Sequence, residues 1–181
     1  MSEPASLYAR LTFDDGAYPA FLASTPTPPA AYDDWQAWLE RQLPDAGRLP
    51  PGLVGAAPLA PSVRALFDAW QGDPWLGAPP IAVDAAGRCQ IVLLQATENY
   101  HELIQLLAPL RGAAAWTRPD ADDFILVADF LWDAQASSMA GLCLGEGRSR
   151  FVDTIPDAWR QAATTSWDAA LAHLQSAYDV D

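Results

Sequence analysis

The residues of this 181-residue sequence best suited to chemistry are three pairs of adjacent aspartates. The pairs are Asp14 with Asp15, Asp33 with Asp34, and Asp122 with Asp123. Carboxylates serve widely as catalytic acids and bases and as metal ligands. Neighbouring side chains on a chain seldom converge on one substrate, however, so we expect these pairs to be solvated surface groups.

The run LTFDDG, residues 11–16, resembles the first motif of polysaccharide deacetylases of the chitooligosaccharide-deacetylase type. The resemblance implies a zinc site in which one aspartate is the base, the next ligates the metal, and two histidines one helical turn apart complete the ligand set. The only histidines are His101 and His173, which are 173 − 101 = 72 positions apart. Two histidines on one helix face need a spacing of four. We therefore expect no metal and no cofactor, and predict that residues 7–13 are a strand ending in a polar turn.

Other catalytic arrangements are incomplete as well. The run SSMAG lacks the Gly-x-Ser-x-Gly elbow, and Cys143 lies in an apolar, strand-like run. All ten basic residues are arginines, which excludes Schiff-base lysines and lysine-dependent phosphate loops. We expect no enzymatic activity. The alternative is an enzyme or small-ligand-binding domain with a pocket between the front half and the sheet, for which Asp14, Asp15 and His101 are the polar candidates.

The charge of the sequence indicates the kind of partner. With 23 acidic and 10 basic residues the net charge is −13, which disfavours nucleic acid and favours a cationic protein. The N-terminus has no signal-peptide pattern, and no apolar run is long enough to span a membrane. We expect a cytoplasmic protein with no membrane partner, in which Cys89 and Cys143 are reduced.

The front half, residues 1–80, is rich in proline and loops, and we expect it to form a single domain, residues 1–181, with the back half, residues 81–181. Apolar residues at helical spacing predict a helix with Asp33 and Asp34 in its first turn. The same spacing predicts a second helix over residues 62–71.

The back half indicates hairpins and helices. Residues 81–98 predict two strands joined at residues 84–87, and Asn99 with Glu102 resembles a capping box that starts a leucine-rich helix ending at Leu110. An apolar run over residues 124–132 predicts a central strand. A hairpin around residues 145–147 and two closing helices follow. The pattern predicts an α+β fold with a mostly antiparallel sheet built from hairpins, helices between strands and helices at the C-terminus.

Tryptophan is unusually frequent, with eight residues that repeatedly stand beside aspartate. Aromatic anchors inside a charged rim are typical of protein interfaces. In size, acidity and tryptophan content the chain resembles bacterial immunity proteins, which neutralise secreted polymorphic or type VI secretion toxins. The resemblance implies occlusion of a cationic toxin domain. An adaptor or chaperone of a secreted effector is a further alternative that differs only in its partner.

The predicted partner-binding residues come from two stretches of the sequence. They are Asp33, Asp34, Trp35 and Trp38 on the first predicted helix, and Asp120, Asp122 and Asp123 before the predicted central strand.

We predict that the purified protein contains no stoichiometric zinc and has no deacetylase activity, because it lacks the paired histidines. Elemental analysis tests this directly. One tightly bound zinc per chain, lost in Asp15→Ala, would contradict the prediction.

Overall fold

A six-stranded antiparallel sheet organises the protein, whose computed structural model describes residues 4–42, 47–57, 59–73, 80–129 and 138–178. The strands are β1 (Ala5–Thr12), β2 (Ile81–Val83), β3 (Arg88–Thr97), β4 (Asp123–Asp129), β5 (Ser138–Gly145) and β6 (Arg148–Phe151). Their order across the sheet is β2-β3-β1-β4-β5-β6, so β2 and β6 are the edges among the strands that the structure describes.

Six α-helices lie in the described ranges: α1 (Ala17–Ala23), α2 (Trp35–Gln42), α3 (Pro51–Val54), α4 (Val63–Gln71), α5 (Tyr100–Gly112) and α6 (Asp157–Tyr178). Single 3-10 turns at Pro29–Ala31 and Ala113–Ala115 precede α2 and follow α5. The predicted α+β fold with an antiparallel sheet and a C-terminal helix is confirmed.

Both faces of the sheet are covered. One face packs against the helices from α1 to α5, in a core that includes Trp38, Phe67, Leu103 and Leu142. The other face packs against α6 through a smaller cluster of apolar side chains: Tyr8, Leu94, Phe124, Leu126, Ala128, Trp159, Ala163 and Trp167. The central strand β4 is buried on both faces, as its continuous apolar run predicts.

A bulge interrupts the pairing of β1 with β3 between Ala5 and Leu7. Two side chains bind carbonyl groups there. The Ser6 hydroxyl donates to the Leu94 carbonyl at 2.6 Å, and the Trp167 indole donates to the Leu7 carbonyl at 3.2 Å. Trp167 therefore fixes α6 to the sheet by a buried hydrogen bond as well as by packing.

Helix starts follow the local sequence. Ser62 caps α4 by accepting the Ala65 N–H at 3.2 Å, and Asn99 caps α5 by accepting the Glu102 N–H at 2.9 Å. The capping box predicted at α5 is only half formed. Glu102 accepts from the Thr97 hydroxyl at 2.8 Å, because the Asn99 N–H is already bound by Thr97 Oγ1 at 3.2 Å.

The sequence-based elements differ from the structure in several places. The two predicted closing helices are one continuous helix, α6, because no glycine or proline interrupts residues 157–178. Helices α1 and α3 were not predicted. Helix α2 begins at Trp35, so Asp33 and Asp34 precede the helix and do not lie in its first turn as predicted. The predicted strand over residues 124–132 corresponds to β4, and residues 130–132 lie outside the described part.

Cys89 is buried, Cys143 is partly exposed, and both are free thiols. Burial raises the pKa of the Cys89 thiol to about 12, so the thiol stays protonated at neutral pH. Across the described ranges, no helix combines the length and apolarity needed to cross a membrane.

We predict a single cooperative thermal unfolding transition, because one core cluster contains side chains from residues 1–80 and from residues 81–181. Calorimetry and limited proteolysis near Pro50 and Pro51 test this. Two separated transitions, or release of a stable fragment, would indicate a domain boundary instead.

Candidate functional site

Exposed carboxylates from four loops gather at one end of the sheet. Because the strands are antiparallel, the segment after β1, the β2–β3 turn, the segment before β4 and the β5–β6 turn all reach the same end. We name this surface the acidic end, and it comprises Asp14, Asp15, Asp84, Asp120, Asp122 and Glu146. Two groups that are far apart in the sequence, Asp14 with Asp15 and Asp120 with Asp122, are thereby brought to one surface.

Arginines neutralise part of the acidic end. The Arg10 guanidinium lies 2.8 Å from the Asp122 carboxylate, and the Arg118 Nε lies 3.1 Å from the Asp14 carboxylate. Asp15 and Asp120 are exposed and form no ion pair with any described residue. No described arginine neutralises these two carboxylates, so they are available to a partner.

Asp123 does not belong to this surface, although the sequence predicts it as partner-binding. Its side chain is buried at the start of β4, where it accepts the Thr12 N–H at 2.7 Å and the Thr12 hydroxyl at 2.8 Å. Burial raises the pKa of Asp123, while the bonds from Thr12 favour its charged form. Its role is to join the ends of β1 and β4.

Arg111, in the last turn of α5, is the most extensively bonded buried charge in the described structure. It donates to both oxygens of Asp34, at 2.7 and 2.8 Å, in a bidentate ion pair. It also donates to the Ser149 hydroxyl at 2.9 Å and to the Ser149 carbonyl at 3.3 Å. The side chain of Arg111 is 1% exposed and that of Asp34 is 33% exposed, so the carboxylate closes the site from the solvent side.

Three aromatic rings surround the same guanidinium. Its central carbon lies 3.9 Å from the ring centroid of Tyr32, 4.5 Å from that of Trp35 and 5.0 Å from that of Phe151. Planar, weakly hydrated guanidinium groups bind aromatic faces favourably in desolvated sites. Burial raises the pKa of Tyr32, and the positive charge of Arg111 opposes part of that rise.

Trp35 and Trp38 are core residues, which corrects their predicted role as partner-binding anchors. Each is 1% exposed and offers no contact area to a partner. Trp38 stacks on Phe151 with ring centroids 5.2 Å apart, and the Trp35 indole donates to the Pro29 carbonyl at 2.9 Å. Their spacing in the sequence identifies a buried helix face but does not reveal what covers that face.

A cleft of about 680 Å³ lies beside the Arg111–Asp34 ion pair, between the front half and the sheet. One wall is residues 31–34 with Ala37 and Arg41, and the other is residues 147–151 of the β6 hairpin. The cleft occupies the place that the small-ligand alternative predicts. Asp14, Asp15 and His101, the polar candidates for that alternative, do not line it.

The structure also separates His101 from Asp14 and Asp15. The two aspartates follow β1 at the acidic end, whereas His101 is in the first turn of α5, which follows β3 at the opposite end of the sheet. Among the residues that the structure describes, no cluster of three or more His, Cys, Asp or Glu side chains is arranged to hold a metal ion.

Sequence reasoning missed Arg111. The available signal is a single arginine ending an otherwise apolar helix, which more commonly indicates a favourable interaction with the helix dipole. The 77 positions between Asp34 and Arg111 prevent any local pattern from revealing the pair.

Comparisons with protein-family models, curated proteins and solved structures find no match to this chain. Its function must therefore be inferred from its own surfaces.

We predict that Asp34→Ala destabilises the protein by about 2–3 kcal/mol, because it leaves the buried Arg111 charge unpaired. The cost is lower than for a fully buried ion pair because Asp34 is partly exposed. Asp33→Ala is the matched control, since Asp33 is exposed and should change stability by less than about 0.5 kcal/mol. Urea unfolding measures both. Equal effects of the two changes would show that the Arg111 pair contributes nothing.

Proposed function

We propose that this chain is a binding protein without chemistry of its own, which inhibits a cationic protein domain by covering its active site. The partner class is a bacterial toxin domain, and the protein would act as an immunity protein in the cytoplasm of the cell that makes the toxin. The observation that supports the proposal best is the convergence of exposed carboxylates at the acidic end.

The acidic end is suited to attracting a cationic domain. Its carboxylates stand on loops at the end of a rigid sheet, so their positions are set by the strand pairing. A concentrated patch of one sign steers an oppositely charged partner and raises the association rate. The net charge of −13 extends the attraction beyond the patch.

Slow dissociation requires contacts that water does not screen. Because Trp35 and Trp38 are buried, the aromatic anchor must come from another part of the chain. Trp116 is the candidate: it packs against the main core but stays partly exposed, and it immediately precedes Thr117, which pairs with Phe13 at the acidic end. A partly exposed tryptophan within a charged rim is the arrangement that interface anchors favour.

The first experiment identifies the partner. The chain is co-expressed with toxin domains encoded beside its gene, and growth rescue is scored. Rescue by direct binding, shown with the purified pair, is the expected result. Failure to neutralise any such toxin would reject the immunity proposal.

With the purified pair, we predict that raising the ionic strength slows association much more than it speeds dissociation, since exposed charges are screened over about 8 Å at physiological salt. Asp15→Asn combined with Asp120→Asn should lower the association rate several-fold. The matched control is Asp68→Asn with Asp168→Asn, two exposed carboxylates on α4 and α6.

Trp116→Ala should instead raise the dissociation rate by about 30-fold, which corresponds to about 2 kcal/mol for an interface anchor. Circular dichroism must show that this variant is folded. Stopped-flow or surface-plasmon kinetics give both rates. Association indifferent to salt, or equally slowed by the control pair, would exclude the acidic end as the docking surface.

A further inference from the structure

The outer edge of β6 faces the cleft with backbone groups available for pairing. The β5–β6 turn has two residues, Glu146 and Gly147, both with positive φ (52° and 72°), which is the two-residue hairpin geometry. In such a hairpin the flanking residues, here Gly145 and Arg148, bond to each other, and every second residue on either strand directs its N–H and C=O away from the partner strand. Ser149 therefore directs its backbone groups outward.

Two further contacts agree with this register. The Val152 N–H donates inward to the Gly141 carbonyl at 2.9 Å, and the Ser149 carbonyl, which does not bond to β5 in this register, accepts from Arg111 at 3.3 Å. The backbone N–H and C=O of Phe151, two residues after Ser149, point outward in the same way. Within the described ranges, the N–H of Ser149 and the backbone N–H and C=O of Phe151 have no hydrogen-bond partner.

The cleft of about 680 Å³ separates β6 from an opposite wall. That wall is formed by the turn before α2 and by α2 itself, where Ala31 and Ala37 present small side chains. The Arg41 guanidinium lies 3.4 Å from the Asp153 carboxylate, an ion pair that links α2 to the segment after β6. An extended backbone that enters the cleft would meet the edge of β6 on one side and Ala31 and Ala37 on the other.

The charges around the cleft define the side chains that such a strand should carry. Arg148 and Arg150 alternate with Ser149 along β6, are exposed, and form no ion pair with a described residue. Residues paired across neighbouring strands project to the same face. A strand opposite these arginines therefore gains from carboxylates at alternate positions, whereas its intervening side chains face the wall that carries Asp33 and Asp34 and should be uncharged.

We propose that the cleft binds an extended segment of a partner protein, which adds to β6 as a seventh strand and carries acidic side chains at every second position. Backbone pairing with the Ser149 N–H and with the N–H and C=O of Phe151 supplies affinity, because the Ser149 carbonyl is already bound by Arg111. Arg148 and Arg150 select the charge. This site goes beyond the proposed inhibition of a toxin and does not depend on it.

A second copy of the chain is a poorer occupant of this edge. Antiparallel pairing of two β6 strands would place arginines of one copy beside arginines of the other, and like charges on adjacent strands are destabilising. Exposed charges on an edge strand are a common protection against self-pairing. The charge of the edge therefore favours a strand of opposite sign.

The probe is a capped heptapeptide of alternating valine and aspartate, titrated into the full chain without any toxin and followed by NMR. Binding should slow amide hydrogen exchange at Ser149 and Phe151 and leave Val152, which is already bonded within the sheet, unchanged. A peptide with asparagine in place of aspartate should bind about fivefold more weakly, through the loss of two exposed ion pairs. N-methylation of the valines, whose N–H groups face β6, should abolish binding.

Arg148→Gln with Arg150→Gln should remove the preference for aspartate over asparagine, whereas Arg64→Gln, an exposed arginine on α4, should preserve it. Comparing the aspartate and asparagine peptides on the unaltered protein keeps the test valid if the double variant is unstable. Equal binding of the two peptides, or binding without slowed exchange at Ser149 and Phe151, would overturn the proposal. Slowed exchange that depends on protein concentration alone would identify a second copy as the occupant.

Discussion

The buried ion pair between Arg111 and Asp34 is the constraint on which the arrangement of the molecule depends. A guanidinium with 1% exposure must have its charge and its donors satisfied inside the protein. Asp34 from the front half and Ser149 from β6 meet this requirement together, at the end of α5. Three separate parts of the chain are therefore held in one relative position, and the cleft beside β6 exists because that position leaves a space between them.

The ion pair also accounts for the location of much of the aromatic content. Trp35 and Phe151 contact the guanidinium, and Trp38 packs against Phe151. The tryptophan face of α2, predicted from the sequence to bind a partner, is therefore part of the core. On the other face of the sheet, Trp159 stacks on Phe124 and the Trp167 indole donates to the Leu7 carbonyl, and both contacts hold α6 against the strands. Much of the tryptophan in this chain thus provides internal packing in a sheet covered on both faces.

The spacing of apolar residues and the turn residues predicted most of the local structure: the helix over residues 62–71, the Asn99 cap, the central strand and the hairpin at residues 145–147. These features depend on contacts between nearby residues. The candidate site was less predictable because it depends on pairs distant in sequence, such as Asp34 with Arg111 and Thr12 with Asp123. A local pattern shows that a helix face is apolar or that a carboxylate precedes a strand. Which residue each side chain contacts is decided by the tertiary fold.

The strand order places exposed charges of opposite sign at different positions on the sheet. Carboxylates occupy the loops at one end of the sheet, whereas Arg148 and Arg150 lie along the β6 edge. A uniformly acidic protein would attract a cationic domain in many orientations of similar energy. An edge that selects an acidic strand would restrict those orientations, because only one placement satisfies both signs together. The specificity of a partner complex would then depend on the few arginines as much as on the many carboxylates.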